Sequence, residues 1–98
     1  MLITDIRGNI EYVNPKFVEI TGFTREEAIK KNPRILQSGN HTPEFYKELW
    51  QTILTGNDWK GEIHNKRKNG ELYWESALIS PIKTDNGVIR FFIAIKED

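Results

Sequence analysis

The sequence predicts one α+β domain in which a five-stranded antiparallel sheet carries a block of short helices and one longer helix on one face. Three observations predict this class. The chain has 98 residues, the length of a single domain. Two short strand patterns come first, helix signals fill the middle, and three longer strand patterns follow. Because two strands must pair with three across an intervening helical block, the helices are expected to cover one side of a shared sheet.

The five predicted strands are separated by turns that contain glycine or asparagine. They are residues 2–5, 10–13, 59–68, 71–83 and 88–96. The first two form a hairpin around Arg7-Gly8-Asn9, because glycine in a run of polar residues marks a turn. Asn69-Gly70 and Asp85-Asn86-Gly87 turn the last three strands into a meander.

Three helices are predicted from their end signals. Asn14 caps the first helix, with Pro15 at its first position, and Gly22 ends it. The segment Thr24–Glu27 has the spacing of a capping box and predicts a second, short helix that ends near residues 30–31. The longest helix is predicted from Pro43 to Thr55, with apolar residues recurring on one face.

Composition excludes several functions. Lys and Arg together number 14, as do Asp and Glu, so the neutral chain lacks the basic excess of a nucleic-acid or anionic-membrane binder. The cluster Lys66-Arg67-Lys68 is interpreted as a solvated hairpin end. Without cysteine there is no disulfide, thiolate catalysis or Cys-ligated zinc. No apolar run approaches the ~20 residues that span a bilayer, and a cytoplasmic location without membrane contact is expected.

The segment from Asn32 to Gly39 contains the most informative candidate residues. Asn32, Arg34 and Gln37 stand on a turn interrupted by proline and glycine, where their amide and guanidinium groups can line one wall of a ligand cavity. The alternatives remain open: Asn32 can be a local cap, and Arg34 can bind a phosphate or form a surface ion pair.

Two polar residues are predicted inside the sheet. Asn65 lies in a strand interior, where asparagine is unfavourable, and its buried amide could bind a ligand or Glu75. A three-residue turn at 69–71 is expected to set Asn65 opposite Glu75, whereas a two-residue turn would set it opposite Trp74. With Asn32, Arg34 and Gln37, these two residues are expected to converge on one cavity between the helices and the sheet.

Trp59 is interpreted as a structural anchor at the mouth of the core, with an aromatic lid over a ligand as the alternative. An enzyme is not predicted, because acid–base catalysis needs titratable groups that converge on a cavity. The only suggestive set is Glu75, Lys96 and Asn65, which an internal ion pair explains equally well. No glycine-rich phosphate loop is present.

The chain resembles a PAS domain over essentially its whole length. The matching segments have a shared order and composition. They are Ile3-Thr4-Asp5, Gly8-Asn9-Ile10, Val13-Asn14, Thr21-Gly22-Phe23-Thr24-Arg25-Glu26-Glu27, Leu49-Trp50, Trp59-Lys60-Gly61-Glu62, Asn65-Lys66-Arg67-Lys68-Asn69-Gly70 and Tyr73-Trp74. The resemblance implies a sensory module of a signalling protein, cut from a longer chain without its N-terminal flanking helix, with an output domain such as a histidine kinase of a two-component system.

Within that family, Asn32-Pro33-Arg34-Ile35-Leu36-Gln37 is similar to the flavin-contacting turn of LOV photosensors, and Asn65 matches a flavin-contacting strand residue. The chain departs from the LOV pattern at Pro33, where the photoreactive cysteine would stand, at Glu75 and at Lys96. Its middle resembles the NifL-type redox sensors, which bind FAD without that cysteine. The resemblance therefore implies FAD or FMN, held by Asn32, Arg34, Gln37, Trp59, Asn65 and Glu75, and excludes adduct photochemistry.

Haem is not expected. Haem-binding PAS domains place a histidine inward on the long helix, whereas His41 precedes that helix and His64 is predicted on the opposite sheet face from Asn65. The competing interpretation is a cofactor-free PAS domain that dimerises and relays signals. In either case a homodimer is expected through the outer sheet face, with Trp74, Leu78, Ile93 and Ile95.

Overall fold

The computed structural model of the protein describes residues 1–97 and has the predicted order of elements. The strands are β1 (Leu2–Asp5), β2 (Ile10–Val13), β3 (Trp59–Lys66), β4 (Leu72–Lys83) and β5 (Ile89–Glu97). The helices are α1 (Pro15–Thr21), α2 (Arg25–Ala28) and α3 (Pro43–Leu54), and a 3-10 helix at Pro33–Leu36 lies between α2 and α3. The predicted α+β class with a five-stranded antiparallel sheet is confirmed.

The five strands form one sheet in the order β2-β1-β5-β4-β3. β1 pairs with β2 as the predicted hairpin and with β5 on its other side, so that Leu2 lies opposite Ala94. The last strand therefore lies at the centre of the sheet, between the two strand groups that the sequence separates. This arrangement brings the inner faces of β3, β4 and β5 beneath the helical block.

The helix ends follow from their predicted caps. The Asn14 side chain accepts a hydrogen bond from the Phe17 amide at 3.0 Å, and Gly22 ends α1 with a left-handed φ of 80°. Thr24 and Glu27 form the reciprocal capping box of α2. This helix ends at Ala28, earlier than predicted, because the chain then bonds to β2: the Lys30 amide donates to the Ile10 carbonyl at 2.7 Å.

Two groups of buried apolar residues form the core. The N-terminal cluster consists of Leu2, Ile10, Val13, Phe17, Ala28, Leu36 and Ala94. The α3 cluster consists of Leu49, Ile53, Ile63, Ala77 and Phe92. The N-terminal cluster is closed over by α1, α2 and the 3-10 helix, whereas α3 alone covers the second cluster with partly exposed aromatic rings.

The predicted register of the β3–β4 hairpin is wrong. Asn65 lies opposite Tyr73, and Glu75 lies opposite Ile63. The reason is a five-residue loop at 67–71 that bonds to α1: the Arg67 guanidinium donates to the Ile20 carbonyl, and strand pairing ends at Lys66. Because the register differs by two residues from the one expected, Asn65 and Glu75 still share the inner face.

The outer sheet face is open and apolar. Trp74 is 56% exposed and Ile95 is 48% exposed. Leu78 pairs with Ile95 across β4 and β5, and Ile93 lies on the same face, as the alternation of the strands predicts. Among residues 1–97, no helix is long and apolar enough to cross a membrane.

Candidate functional site

A cavity of about 90 Å³ lies between the two core clusters, below α3 and the 3-10 helix. Apolar side chains from β1, the 3-10 helix, α3, β3, β4 and β5 form most of its wall. A group of polar side chains completes the wall. The polar members are Thr4, Asn32, Arg34, Gln37, Tyr46, Asn65 and Lys96. An apolar chamber with a few convergent polar groups is typical of a small-molecule site.

The 3-10 helix positions three of the predicted site residues. Asn32 is its N-cap, and the Oδ1 atom accepts a hydrogen bond from the Arg34 amide at 3.0 Å. Asn32 is therefore a cap, and the same side chain also lines the cavity. Gln37 follows the helix and forms a β-bridge with Asn65, which brings the turn against β3. Arg34 is exposed and forms no ion pair within residues 1–97.

Asn65, Glu75 and Lys96 form a polar chain across β3, β4 and β5. The Asn65 Nδ2 atom donates to Glu75 Oε1 at 2.5 Å, and Lys96 Nζ lies 3.1 Å from the same oxygen. Asn65 and Glu75 are buried, at 3% and 4% exposure, and the Lys96 side chain is 12% exposed. A carboxylate at this depth needs such partners, since an unpaired buried charge is strongly unfavourable.

Glu75 does not line the cavity, which corrects the expected convergence of five residues. The carboxylate turns toward α1 and lines a separate space of about 10 Å³ with Phe17 and Thr21. The physical reason is its pairing with Lys96, which holds the carboxylate beside β5. Glu75 can therefore affect a ligand only through Asn65 or Lys96, both of which do line the cavity.

Trp59 also lies outside the cavity lining. The ring packs edge-to-face on Phe45 at 5.7 Å and folds over Gly61, where an added Cβ atom would lie 2.8 Å from it. A side chain at position 61 would displace the ring, which gives that glycine a packing role. This is the placement of a structural anchor at the end of α3 rather than a lid over a ligand.

Tyr46 and Trp50 on α3 line the cavity, whereas the sequence predicted only core residues at these positions. The Tyr46 hydroxyl is buried, and it has no hydrogen-bond partner within residues 1–97. Burial also raises the pKa of Tyr46 above its usual value of 10.0. The Trp50 ring lies against Gly8, where an added Cβ atom would be 3.0 Å from the ring and 2.8 Å from Asn32 Nδ2. Helical spacing placed both rings on the apolar face, but it cannot separate core residues from cavity-lining ones.

The two histidines lie together at the outer edge of β3, away from the cavity lining. His41 stacks on Phe45 with ring centroids 3.8 Å apart, and its Nε2 atom accepts a hydrogen bond from the His64 amide at 2.8 Å. His64 stacks on Trp74 at 4.7 Å, on the outer face as predicted. No group of three or more metal-ligating side chains occurs in the described part of the chain.

The comparison with known families gives the class of the protein. The PAS domain family matches residues 1–98, and the chain belongs to it. It is a sensory domain of the kind found in signal-transduction proteins, and such a domain is not itself catalytic.

Named relatives narrow this class. The chain is 36% identical over 96 residues to a nitrogen fixation regulatory protein of Klebsiella oxytoca, covering 98% of this chain and 19% of the relative. It is 33% identical over 101 residues to a blue-light-activated histidine kinase of Brucella anthropi, covering 100% of this chain and 21% of the relative. The chain thus spans about a fifth of the length of these relatives.

Solved structures give the same fold. The light-state LOV domain of the photoreceptor Aureochrome1 superimposes with a TM-score of 0.91 at 22% identity, covering 99% of this chain and 78% of that one. The LOV domain of the blue-light-activated histidine kinase EL346 of Erythrobacter litoralis has a TM-score of 0.89 at 29% identity, covering 99% of this chain and 92% of that one. These comparisons support the predicted LOV-like subgroup of the PAS family.

Proposed function

We propose that this domain binds a flavin, FAD or FMN, in the cavity below α3 and reports the redox state of the flavin to an output domain outside this chain. The observation that carries the proposal is the Tyr46 hydroxyl, which is buried beside the cavity without a partner in residues 1–97. A buried hydroxyl that makes no hydrogen bond costs about 1–3 kcal/mol. A polar ligand in this cavity would supply the missing partner.

The polar groups of the cavity match one edge of a flavin ring. Such a ring is planar and largely apolar, and its pyrimidine edge alternates hydrogen-bond donors and acceptors. The amides of Asn32, Gln37 and Asn65 can donate and accept, and the apolar walls suit the rest of the ring. Since Asn65 Nδ2 is engaged by Glu75, Asn65 has its carbonyl oxygen to offer and is expected to accept from a ring N–H.

A ring system needs more room than the cavity has. Ligand-binding cavities start at roughly 300 Å³, and this chamber has about 90 Å³. Tyr46 and Trp50 are only half-buried. We therefore expect α3 and its two rings to move outward on binding, while the 3-10 helix and the sheet keep their places.

The signal would leave the site through the polar chain. A bound flavin supplies redox chemistry that changes the protonation of its ring nitrogens. A change in protonation would alter the hydrogen bond at the Asn65 carbonyl oxygen. Asn65 is hydrogen-bonded to Glu75, which pairs with Lys96, so the change would reach three adjacent strands. The neighbouring residues His64 and Trp74 belong to the outer face, so a shift of these strands alters the surface available to a partner.

A matched pair of tyrosine variants tests the proposal. Tyr46→Phe removes the hydroxyl and keeps the ring, and Tyr12→Phe makes the same change at an exposed position on β2. We expect Tyr46→Phe to unfold at equal or higher urea concentration in the flavin-free protein and to bind riboflavin more weakly by about 1–3 kcal/mol. Quenching of flavin fluorescence measures the affinity, and Tyr12→Phe should leave both quantities unchanged.

Two outcomes would contradict the proposal or the part that Tyr46 has in it. Wild-type protein that binds no flavin in the titration, and whose visible spectrum stays colourless after reconstitution, rules out the proposal. A Tyr46→Phe variant that binds riboflavin as tightly as wild type leaves flavin binding intact and removes Tyr46 from the site.

The second candidate is a cofactor-free homodimer that relays signals, favoured by the exposed apolar outer face. Trp74, Leu78, Ile93 and Ile95 are the predicted interface. Sedimentation velocity on the colourless protein tests this, with Ile95→Arg expected to yield monomers and the exposed Arg90→Ala as control. Monomeric wild-type protein would remove this candidate.

A further inference from the structure

His41 lies just before α3 and joins the start of this helix to β3, at the edge of the sheet. Its ring stacks on Phe45 with centroids 3.8 Å apart and meets Tyr46 edge-to-face at 5.8 Å. Both of these residues belong to the first turn of α3. The ring also meets Trp74 of β4 edge-to-face at 5.9 Å, and its Nε2 atom accepts a hydrogen bond from the His64 amide at 2.8 Å. His41 therefore packs as part of the first turn of α3 and attaches that turn to the sheet.

The two ends of α3 are attached to the sheet by different chemistry. At the start, the Asn40 Nδ2 atom lies 3.0 Å from His64 Nδ1, where it can donate a second hydrogen bond to an imidazole nitrogen. Just beyond the last turn, Lys83 Nζ donates to the Gly56 carbonyl at 3.2 Å. Imidazole nitrogens thus accept hydrogen bonds at the start of the helix, whereas an ammonium group donates one at its end.

The attachment at the start of α3 requires a neutral imidazole. A ring nitrogen accepts a hydrogen bond through its lone pair, and an imidazolium ring carries a proton on both nitrogens. Protonation of His41 would turn Nε2 into a donor that faces the donor of the His64 amide, so this hydrogen bond would be lost. Burial first, and the neighbouring His64 second, lower the pKa of His41 below its usual value of 6.5. The closed arrangement thus favours the neutral ring.

The groups around His41 do not compensate a positive charge. The titratable groups that contact its ring region are Tyr46 of α3 and His64 of β3, and β4 contributes an uncharged indole. The nearest carboxylates along these elements are Glu44 and Glu62. Within residues 1–97, no carboxylate forms an ion pair with either histidine. A protonated His41 would therefore be more stable in water than in its place against β3.

We propose that His41 is a proton-sensitive latch: in its neutral form it holds the first turn of α3 on β3, and its protonation releases this turn and opens the cavity below it. Tyr46 lies in the released turn and lines the cavity, so release moves part of the cavity wall. The latch follows from the contacts of His41, and its effect on a ligand rests on the proposed function. Because such coupling is reciprocal, a ligand that holds α3 outward would make His41 take up a proton more readily.

Nitrogen and amide NMR of the ligand-free protein tests the latch. From about pH 7.5 to about pH 5.5, the His64 amide signal should shift along the same titration curve as the ring nitrogens of His41. After correction for the intrinsic exchange rate, the amides of His64 and Tyr46 should lose about three- to tenfold of their exchange protection, as expected for one lost hydrogen bond. The Phe17 amide, which bonds to Asn14 in the N-terminal cluster, should keep its protection.

Two variants separate the latch from a general effect of acid. His41→Gln keeps a hydrogen-bond acceptor but cannot titrate, so the protection of its His64 amide should be the same at both pH values. Lys83→Met removes the attachment at the other end of α3 and should leave the acid response of the His64 amide as in wild type. If His41→Gln does not fold, the wild-type titration with Lys83→Met as control still decides the question.

Riboflavin measures the effect of the latch on the cavity. Its ring system does not ionise between these two pH values, so a change in its association rate reports on the protein. In wild type we expect association at about pH 5.5 to be about threefold faster than at about pH 7.5, and in His41→Gln we expect equal rates. Stopped-flow quenching of riboflavin fluorescence gives these rates.

Each outcome decides a different part of the inference. A His64 amide that does not follow the titration of His41, or an acid response in His41→Gln equal to that of wild type, overturns the latch. If the amides respond but riboflavin associates at the same rate at both pH values, protonation does not open the cavity and that part is wrong. If riboflavin does not bind at all, the proposed function fails, while the NMR titration still decides the latch.

Discussion

The two halves of the core are built from similar residue types but are filled differently. In the N-terminal cluster every member is at most 5% exposed, and three helical segments close over it. In the α3 cluster the buried residues are fewer, and half-buried rings such as Phe45, Trp50 and Trp59 complete it. The cavity lies where these halves meet, with Leu2 and Ala94 from the first cluster and Ile53 and Phe92 from the second in its wall.

This difference shows where the fold has room to bind. Close packing leaves a well-filled core no space for a ligand, whereas a helix that covers a sheet through aromatic rings can move outward with small loss. Two polar groups near the cavity, Asn65 and the Tyr46 hydroxyl, lie on the α3 side. The N-terminal half therefore serves as the frame, and the α3 half serves as the adjustable wall.

The largest expected effect compares one ring from each half. Phe17 is 4% exposed in the N-terminal cluster, and Phe17→Ala should lower the free energy of unfolding by about 3–5 kcal/mol. Trp50→Ala should cost about half as much, since the ring is half-buried beside an existing cavity. Urea denaturation measures both. Equal losses would mean that the α3 half is as tightly filled as the frame, and Phe17→Leu provides a milder variant if Phe17→Ala does not fold.

The second prediction concerns the ion pair between Lys96 and Glu75, which lies beside Phe17 of the N-terminal cluster. Lys96→Met leaves the buried Glu75 carboxylate with Asn65 as its hydrogen-bond partner but without its ion pair, and should destabilise the domain by about 3 kcal/mol. Adding Glu75→Gln to that variant removes the unpaired charge and should restore most of the lost stability. The double-mutant cycle in urea measures the coupling. A double variant as unstable as Lys96→Met alone would show that packing, and not charge, causes the loss.

The sequence predicted more of the N-terminal half than of the α3 half. Caps at Asn14 and Thr24 are local signals, and the structure realises both. The β3–β4 register was missed because the loop is held by distant contacts, such as the Lys68 amide with the Thr21 carbonyl at 2.8 Å. Strand alternation still placed Asn65 on the inner face, because a shift of two residues leaves each side chain on the same face of the sheet.

The lining of the cavity was likewise predicted only where the sequence signals are local. Asn32 and Gln37 share a short turn, so local sequence placed them together. The Glu75 carboxylate points away from the cavity because it pairs with Lys96. This pairing forms only when β5 takes its place beside β4 in the centre of the sheet, which local sequence does not show. Tyr46 was missed because a helical apolar face looks the same in sequence whether it meets a filled core or a cavity.

The smallest expected effect is a difference in pH response. The two histidines lie beside α3 and on the adjoining outer face of the sheet. The three tryptophans lie in the same region, so their fluorescence reports on the α3 half. Burial first, and the neighbouring His64 second, lower the pKa of His41 below its usual value of 6.5. Protonation would also remove the acceptor that Nε2 offers to the His64 amide.

The sign follows from proton uptake. Between the lowered pKa of native His41 and 6.5, the unfolded chain binds more protons than the native one, so stability is complete above about pH 6.5 and falls as the pH decreases. From about pH 7.5 to about pH 5.5, wild type should lose more stability than His41→Gln, which keeps an acceptor but cannot titrate. Carboxylates common to both proteins cancel in this difference. Urea titrations followed by tryptophan fluorescence report on the α3 half directly, and parallel pH profiles for the two proteins would show that His41 carries no part of the acid response.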